Sequence, residues 1–169
     1  GAKQTQDRQY AAVLAGGDDL VLSRMGLISK PMPDGSTKHR LIWDTRRSGV
    51  NDFIQNPERI VLPRHVDAVN DIVSLRAHYP PHDEQWATLF GIDITNAFHL
   101  MPLHRAERRF TVAKLGTTYY VFQSLVFGSK SAPTLWGRFA AFMGRTVQAV
   151  INPDLARVQV YVDDPLFTL

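Results

Sequence analysis

RVQVYVDDPLFTL, residues 157–169, decides how this chain is read. Two apolar, β-prone runs flank a pair of adjacent carboxylates, Asp163 and Asp164. Valine, tyrosine, phenylalanine and threonine favour strands, and aspartate tolerates the dihedrals of a tight turn. The spacing predicts a β-hairpin that carries two acids at its tip. Crowded like charges are costly unless they meet a cation, so the pair is a candidate metal site. Asp-rich turns are also common as plain polar turns. The pair becomes a site only if the chain supplies a third acid and cationic groups for phosphate.

Composition narrows the classes. The chain has 169 residues, 44% hydrophobic and 21% charged, which suits one compact domain or one lobed unit with a sizeable core. It has no cysteine, which excludes disulfides and thiolate metal sites and fits an intracellular setting, cytoplasmic or nuclear. The net charge of +3 permits a polyanionic partner without requiring one. No apolar run approaches a membrane span, so no membrane partner is expected. The chain stops at Leu169, in or just after a predicted strand, and is expected to be part of something longer.

The third acid lies upstream. WATLFGIDITNAFHLMPL (residues 86–103) opens with an apolar run, 87–94, that predicts a short buried strand with Asp93 near its end. A charge there needs a partner, which makes Asp93 a functional candidate. The competing role is an N-cap, by Asp93 or Thr95, for a short helix over residues 96–100. Phe98 in that segment reads as core by default.

The cationic groups sit near the N-terminus. LISKPMPDGSTKHRLIWDTRRSGVN (residues 27–51) predicts a hairpin with its turn at Pro-Asp-Gly and with Lys30, Lys38, His39 and Arg40 around it. The charges are either a solvated surface or a phosphate grip, in which lysine supplies a point charge and arginine a fork of donors. Asp44 and Arg46, two apart on a strand, predict a structural ion pair. Residues 4–25 predict a helical lead-in. Its AGGDDL (15–20) is a loop, because Gly16 and Gly17 break any strand before the acids.

The remaining elements connect these parts. A helix is expected within residues 57–79, on the spacing of Val66, Val69, Ile72, Val73 and Arg76, with Pro63 near its start and Tyr79-Pro80-Pro81 as its stop. His78 and His82 flank the prolines and read as surface residues. FTVAKLGTTYYVF (110–122) predicts a second hairpin. LVFGSKSAP (125–133) is a Gly/Ser loop that opens a helix over 133–150. In that helix Leu135, Trp136, Phe139, Phe142, Met143, Val147 and Val150 form an apolar stripe expected to be core.

Taken in order, these motifs resemble the fingers and palm of a reverse transcriptase, from about residue 27 to the end. RLIWDTR (40–46) resembles the fingers strand motif and IDITNAF (92–98) the first palm motif. LVFGSKSAP resembles the loop beside the incoming nucleotide, and YVDD (161–164) the catalytic hairpin. The resemblance implies an α+β fold: right-hand polymerase fingers and a partial palm, its antiparallel sheet packed on helices. Residues 1–88 and 101–131 would be fingers, and 89–100 and 132–169 palm. The chain would stop before the thumb and any RNase H domain.

The resemblance also assigns roles. Asp93 and Asp163 would bind two Mg²⁺ or Mn²⁺ ions, with Asp164 completing the acidic triad and the Ile94 carbonyl as a further ligand. Lys30 and Arg40 would hold the triphosphate of the dNTP. Phe98 would be the steric gate against ribose, and Phe127 and Gly128 would line the nucleotide pocket. The partners would be an RNA or DNA template with its primer, and a cut sheet edge invites self-association. Retroviral enzymes commonly carry glutamine where this chain has Phe127, which favours an LTR-retrotransposon, gypsy-like source. Pro165, directly after the acids, is unusual for the family. The implied reaction is RNA-directed DNA synthesis. The alternatives are a reverse-transcriptase-like module that binds nucleic acid or protein without polymerising, and an RNA-dependent RNA polymerase palm. Tyr-Val before the acids, where the latter carries glycine, speaks against that palm, as does Phe98.

Overall fold

The computed structural model describes residues 1–78 and 87–169. The expected Tyr79-Pro80-Pro81 stop, His82, and Trp86 at the head of the strand segment lie outside the described residues. In chain order the elements are β1 (Ala2–Thr5), α1 (Arg8–Ala15), β2 (Leu22–Pro31), β3 (Thr37–Asp44), α2 (Val50–Phe53), α3 (His65–Arg76), β4 (Leu89–Gly91) and α4 (Ala97–Leu100). A 3₁₀ turn (Arg105–Phe110), β5 (Val112–Leu115), β6 (Thr118–Phe122), α5 (Ala132–Val150), β7 (Arg157–Tyr161) and β8 (Asp164–Thr168) follow. The fold is α+β. It divides into two compact units, Gly1–Pro57 with Phe98–Ala132, and Glu58–Ala97 with Pro133–Leu169. Residues 58–78 group with the C-terminal hairpin. The reason is local: α3 contacts β8, and Gln159 Nε2 donates to Asp71 Oδ2 at 2.8 Å.

The first unit is a five-stranded sheet in the order β1-β6-β5-β2-β3. Both expected hairpins are present, β2–β3 and β5–β6. The helical lead-in is shorter than expected. Asp7 caps α1 by accepting from the Gln9 and Tyr10 backbone N–H groups, and Gly16 ends it at φ +81°. AGGDDL is a loop, as its glycines required. Two pairings had no local signal: β1 against β6, and the short parallel contact of β2 with β5. Two cores sit in this unit. Ala11, Ala15, Val112, Tyr119 and Val121 form one, and Trp43, Ala113, Phe122 and Val126 the other.

The second unit is an antiparallel sheet, β4-β8-β7, with α3 and α5. Helix α3 forms, but its buried side is not the one its valines suggested. Val66, Val69 and Val73 are exposed, while Leu75 is buried and Ala68 and Ile72 are half-buried. Strand β4 is exposed rather than buried, because it is the sheet's edge; Phe90 stacks on Phe167 at 4.6 Å. The stripe on α5 is core only in part. Trp136 is fully buried, whereas Leu135, Phe139, Phe142 and Val150 are exposed, because the helix carries more apolar surface than one packed face can cover. Among the described residues no helix is long and apolar enough to cross a membrane.

Candidate active site

The acidic hairpin forms as expected. Tyr161 pairs with Asp164, which leaves Val162 and Asp163 as a two-residue turn. Val162 has φ +55°, a region that favours glycine and that a β-branched residue rarely enters. Pro165 falls in β8, the central strand, and not at the strand's first position. An antiparallel residue points its N–H and C=O the same way. The Pro165 carbonyl accepts from Ile92 N at 2.9 Å, just past the last β4–β8 pair, Gly91 with Leu166. The missing donor is therefore the return bond of the Ile92–Pro165 pair, and backbone bonding resumes at Ile94–Asp163.

That edge carries Asp93. Ile94 N donates to the Asp163 carbonyl at 2.9 Å, so segments that lie 70 positions apart (163 − 93) have adjacent backbones. Asp93 is exposed, so charge burial is not what marks it. Nor does it cap a helix: Asn96, at φ +57°, precedes α4, and Thr95 Oγ1 lies 3.3 Å from Asp93 Oδ2. Carboxylates and a carbonyl are hard oxygen donors of the kind Mg²⁺ or Mn²⁺ takes. In donor chemistry alone these residues fit such an ion. Among the described residues, however, no three His, Asp or Glu side chains are gathered tightly enough to hold one. Asp93 lies on the segment bonded to the Asp163-Asp164 turn, and the three carboxylates do not form a closed cluster.

The other candidates lie in the first unit. The β2–β3 register sets Lys30 opposite Lys38 and Ile28 opposite Arg40. Opposed residues share a face and alternate ones return to it, so Lys30, Lys38 and Arg40 line one face of the hairpin. Two lysines directly opposed repel, which an anion would relieve. The Arg40 guanidinium lies 6.0 Å from the centre of the Phe127 ring, and Phe127 lies 5.0 Å from Phe98. Arg40, Phe127 and Phe98 thus form one run of contacts. Asp44 does not pair with Arg46; its Oδ1 accepts from Arg47 N at 3.0 Å and opens the following turn.

Sequence reasoning missed what holds the Phe127-Gly128 loop. Trp43 N donates to Phe127 O at 2.9 Å, and both Thr45 Oγ1 (2.5 Å) and Asn51 Nδ2 (3.0 Å) donate to Gly128 O. Asn51 Oδ1 also accepts from Lys130 N at 2.9 Å. Nothing in the local pattern of Thr45 or Asn51 signals a partner some 80 residues away.

His99, beside Phe98, contacts Phe122 and Phe127. Burial pushes its imidazole below the ordinary value, against an opposing hydrogen bond that it donates to the Leu125 backbone. Below about pH 6.5 the unfolded chain therefore binds more protons than the folded one, and stability falls with acidification. His99→Gln is expected to flatten the fall in Tm between about pH 7 and pH 5.5. An unchanged slope would show that His99 does not carry it.

No family model matches the sequence, and no curated protein matches it. Solved structures do match. A foamy viral protease–reverse transcriptase in complex with double-stranded DNA is 21% identical with a TM-score of 0.57, covering 86% of this chain and 22% of that one. The native protease–reverse transcriptase of prototype foamy virus is 23% identical with a TM-score of 0.53, over 86% and 16%. The foamy viral enzyme bound to an RNA/DNA hybrid is 19% identical with a TM-score of 0.56, over 86% and 16%. The chain has a reverse-transcriptase-like fold. It spans about a fifth of the first of these structures and less of the other two.

Proposed function

We propose that the chain is the fingers and partial palm of an RNA-directed DNA polymerase from a retroelement. The observation that carries this reading is the adjacency of Asp93-Ile94 to Asp163, set by the Ile94–Asp163 backbone bond on a reverse-transcriptase-like fold. Asp93, Asp163 and the Ile94 carbonyl would hold two Mg²⁺ or Mn²⁺ ions, with Asp164 completing the acidic set. When bound, the metal supplies charge neutralisation for nucleotidyl transfer to a primer 3′-OH. Phosphoryl transfer asks little covalent work of a protein and much positioning. Lys30 and Arg40 would hold the dNTP triphosphate, and Phe127 and Gly128 would line its pocket. The chain's place in a longer enzyme, with RNA or DNA template and primer as partners, follows from the same reading. Phe127 in place of glutamine favours an LTR-retrotransposon source. Self-association would use the β4 edge, because Gln148 occupies two backbone groups on the β7 edge.

The sugar gate offers the sharpest test. Phe98 stands against Phe127, and a smaller residue opens space for a ribose 2′-OH. Phe98→Ala is expected to lower the dNTP-over-rNTP preference by about 10-fold or more. An unchanged preference would make Phe98 core and nothing else.

A second reading, a module that binds nucleic acid without polymerising, is favoured by the ungathered acids. Both readings predict steep salt dependence of nucleic-acid binding. Only the polymerase reading predicts metal-dependent dNTP binding.

A further inference from the structure

Val162 is the anomaly of the acidic turn. A β-branched residue at φ +55° persists only where its surroundings over-determine it. The surroundings here are one face of α5. Trp136, fully buried, donates its indole Nε1–H to the Val162 carbonyl at 2.6 Å. Ala140, Gly144 and Gln148 follow Trp136 at intervals of four, on the same helical face. A Cβ on Gly144 would lie 2.8 Å from Val160 Cγ2, so glycine lets the strand approach. Gln148 Nε2 donates to Ala156 O at 3.1 Å, and its Oε1 accepts from Val158 N at 2.9 Å. One helix face therefore holds the strand from residue 156 to residue 162.

The indole bond differs from the other two contacts in where it falls. The Val162 carbonyl and the Asp163 N–H belong to one peptide plane. Fixing that carbonyl fixes the plane from which Asp163 departs, and so one of the constraints on its carboxylate. We propose that Trp136 is a positioning residue for the acidic turn: its indole N–H pins the Val162 carbonyl and thereby aims Asp163 for divalent-cation binding. The proposal rests on the reading that Asp163 binds such an ion. The competing account is that a buried tryptophan merely satisfies its N–H, as buried tryptophans usually do.

Trp136→Phe keeps an aromatic ring and deletes the donor. The test is Mn²⁺ titration of the full chain by electron paramagnetic resonance, with amide hydrogen exchange at residues 161–164 as a metal-free readout. Removing a group that orients a ligand typically weakens metal affinity about 10- to 100-fold. The expected result is a Kd at least about 10-fold weaker in Trp136→Phe, with faster exchange in the turn and unchanged exchange in β5 and β6. Phe139→Leu, a packing change beside Trp136, should leave the Kd within about twofold, since it removes no orienting group. Wild-type affinity in Trp136→Phe overturns the proposal. Absence of Mn²⁺ binding in the wild type overturns the metal reading beneath it, and exchange in the turn then shows separately whether Trp136 holds Val162. If Trp136→Phe does not fold, the wild type decides. Mg²⁺ should shift the Trp136 indole N–H resonance and leave that of Trp43 in place. A Trp136 signal indifferent to Mg²⁺, in a chain that binds it, overturns the proposal.

Discussion

Gly128→Ala is expected to destabilise the chain by about 3 kcal/mol or more. Gly128 has φ +110°, and a Cβ there would run into the Trp43 carbonyl oxygen, well inside van der Waals contact. No flexible side chain can yield, because the obstacle is the backbone of β3. The left-handed conformation alone costs an alanine about 1–3 kcal/mol. The clash then pushes the loop off β3 and strains the bonds from Trp43 N, Thr45 Oγ1 and Asn51 Nδ2. Each such bond contributes about 0.5–1.5 kcal/mol. For a chain of this size the sum lowers Tm by roughly 6–12 °C. Gly116→Ala is the control. It shares the positive φ, at +57°, but has nothing within 4 Å of its Cβ position, so it should show the conformational cost only. Urea or thermal unfolding compares them. Equal losses would mean that the loop is not wedged against β3. On the proposed function Gly128→Ala also displaces Phe127, and dNTP binding should fall with it.

Asp163→Asn is expected to remove most of the chain's response to Mg²⁺. A ligand that binds only the folded state stabilises it by RT ln(1 + [L]/Kd), about 2.7 kcal/mol at 100 times Kd. At such a concentration the wild-type Tm should rise by roughly 5–10 °C. Outer groups that orient metal ligands are worth 10- to 100-fold in affinity, so losing a ligand itself should cost about 100-fold or more. The substitution keeps the size of the side chain and removes its charge, so the turn should survive. Asp34→Asn serves as the comparison. The Ser36 side chain and backbone bonded to Asp34 hold its carboxyl below the usual range, and it sits at the tip of β2–β3 in the other unit. Its loss should leave the Mg²⁺ response unchanged. A full response in Asp163→Asn would sink the metal assignment.

The elements that could be read from the sequence are those with local signals. Alternation and turn residues marked the β2–β3 and β5–β6 hairpins and the acidic one, and Gly16-Gly17 marked the loop before β2. Burial was read less well, because periodicity names an apolar face without naming its partner. Val66, Val69 and Val73 keep helical spacing on α3, yet Leu75 is the residue buried. The run 87–94 was apolar enough for a core strand, but a strand's place in its sheet is a long-range property, and β4 is an edge. The β1–β6 and β2–β5 pairings are equally non-local. The candidate site residues divide along the same line. Lys30, Arg40, Phe98, Phe127, Gly128 and the three acids stood out through motifs. Thr45, Asn51 and Trp136 donate to backbone carbonyls of distant residues and carry no motif of their own.

On the proposed function, the chain selects a deoxynucleotide through a divalent cation. Calorimetric titration of the wild-type chain with dNTP and with rNTP, each with and without Mg²⁺, tests it most directly. The expected result is binding that requires Mg²⁺ and prefers dNTP. Binding that is indifferent to Mg²⁺, or that favours rNTP, would contradict it.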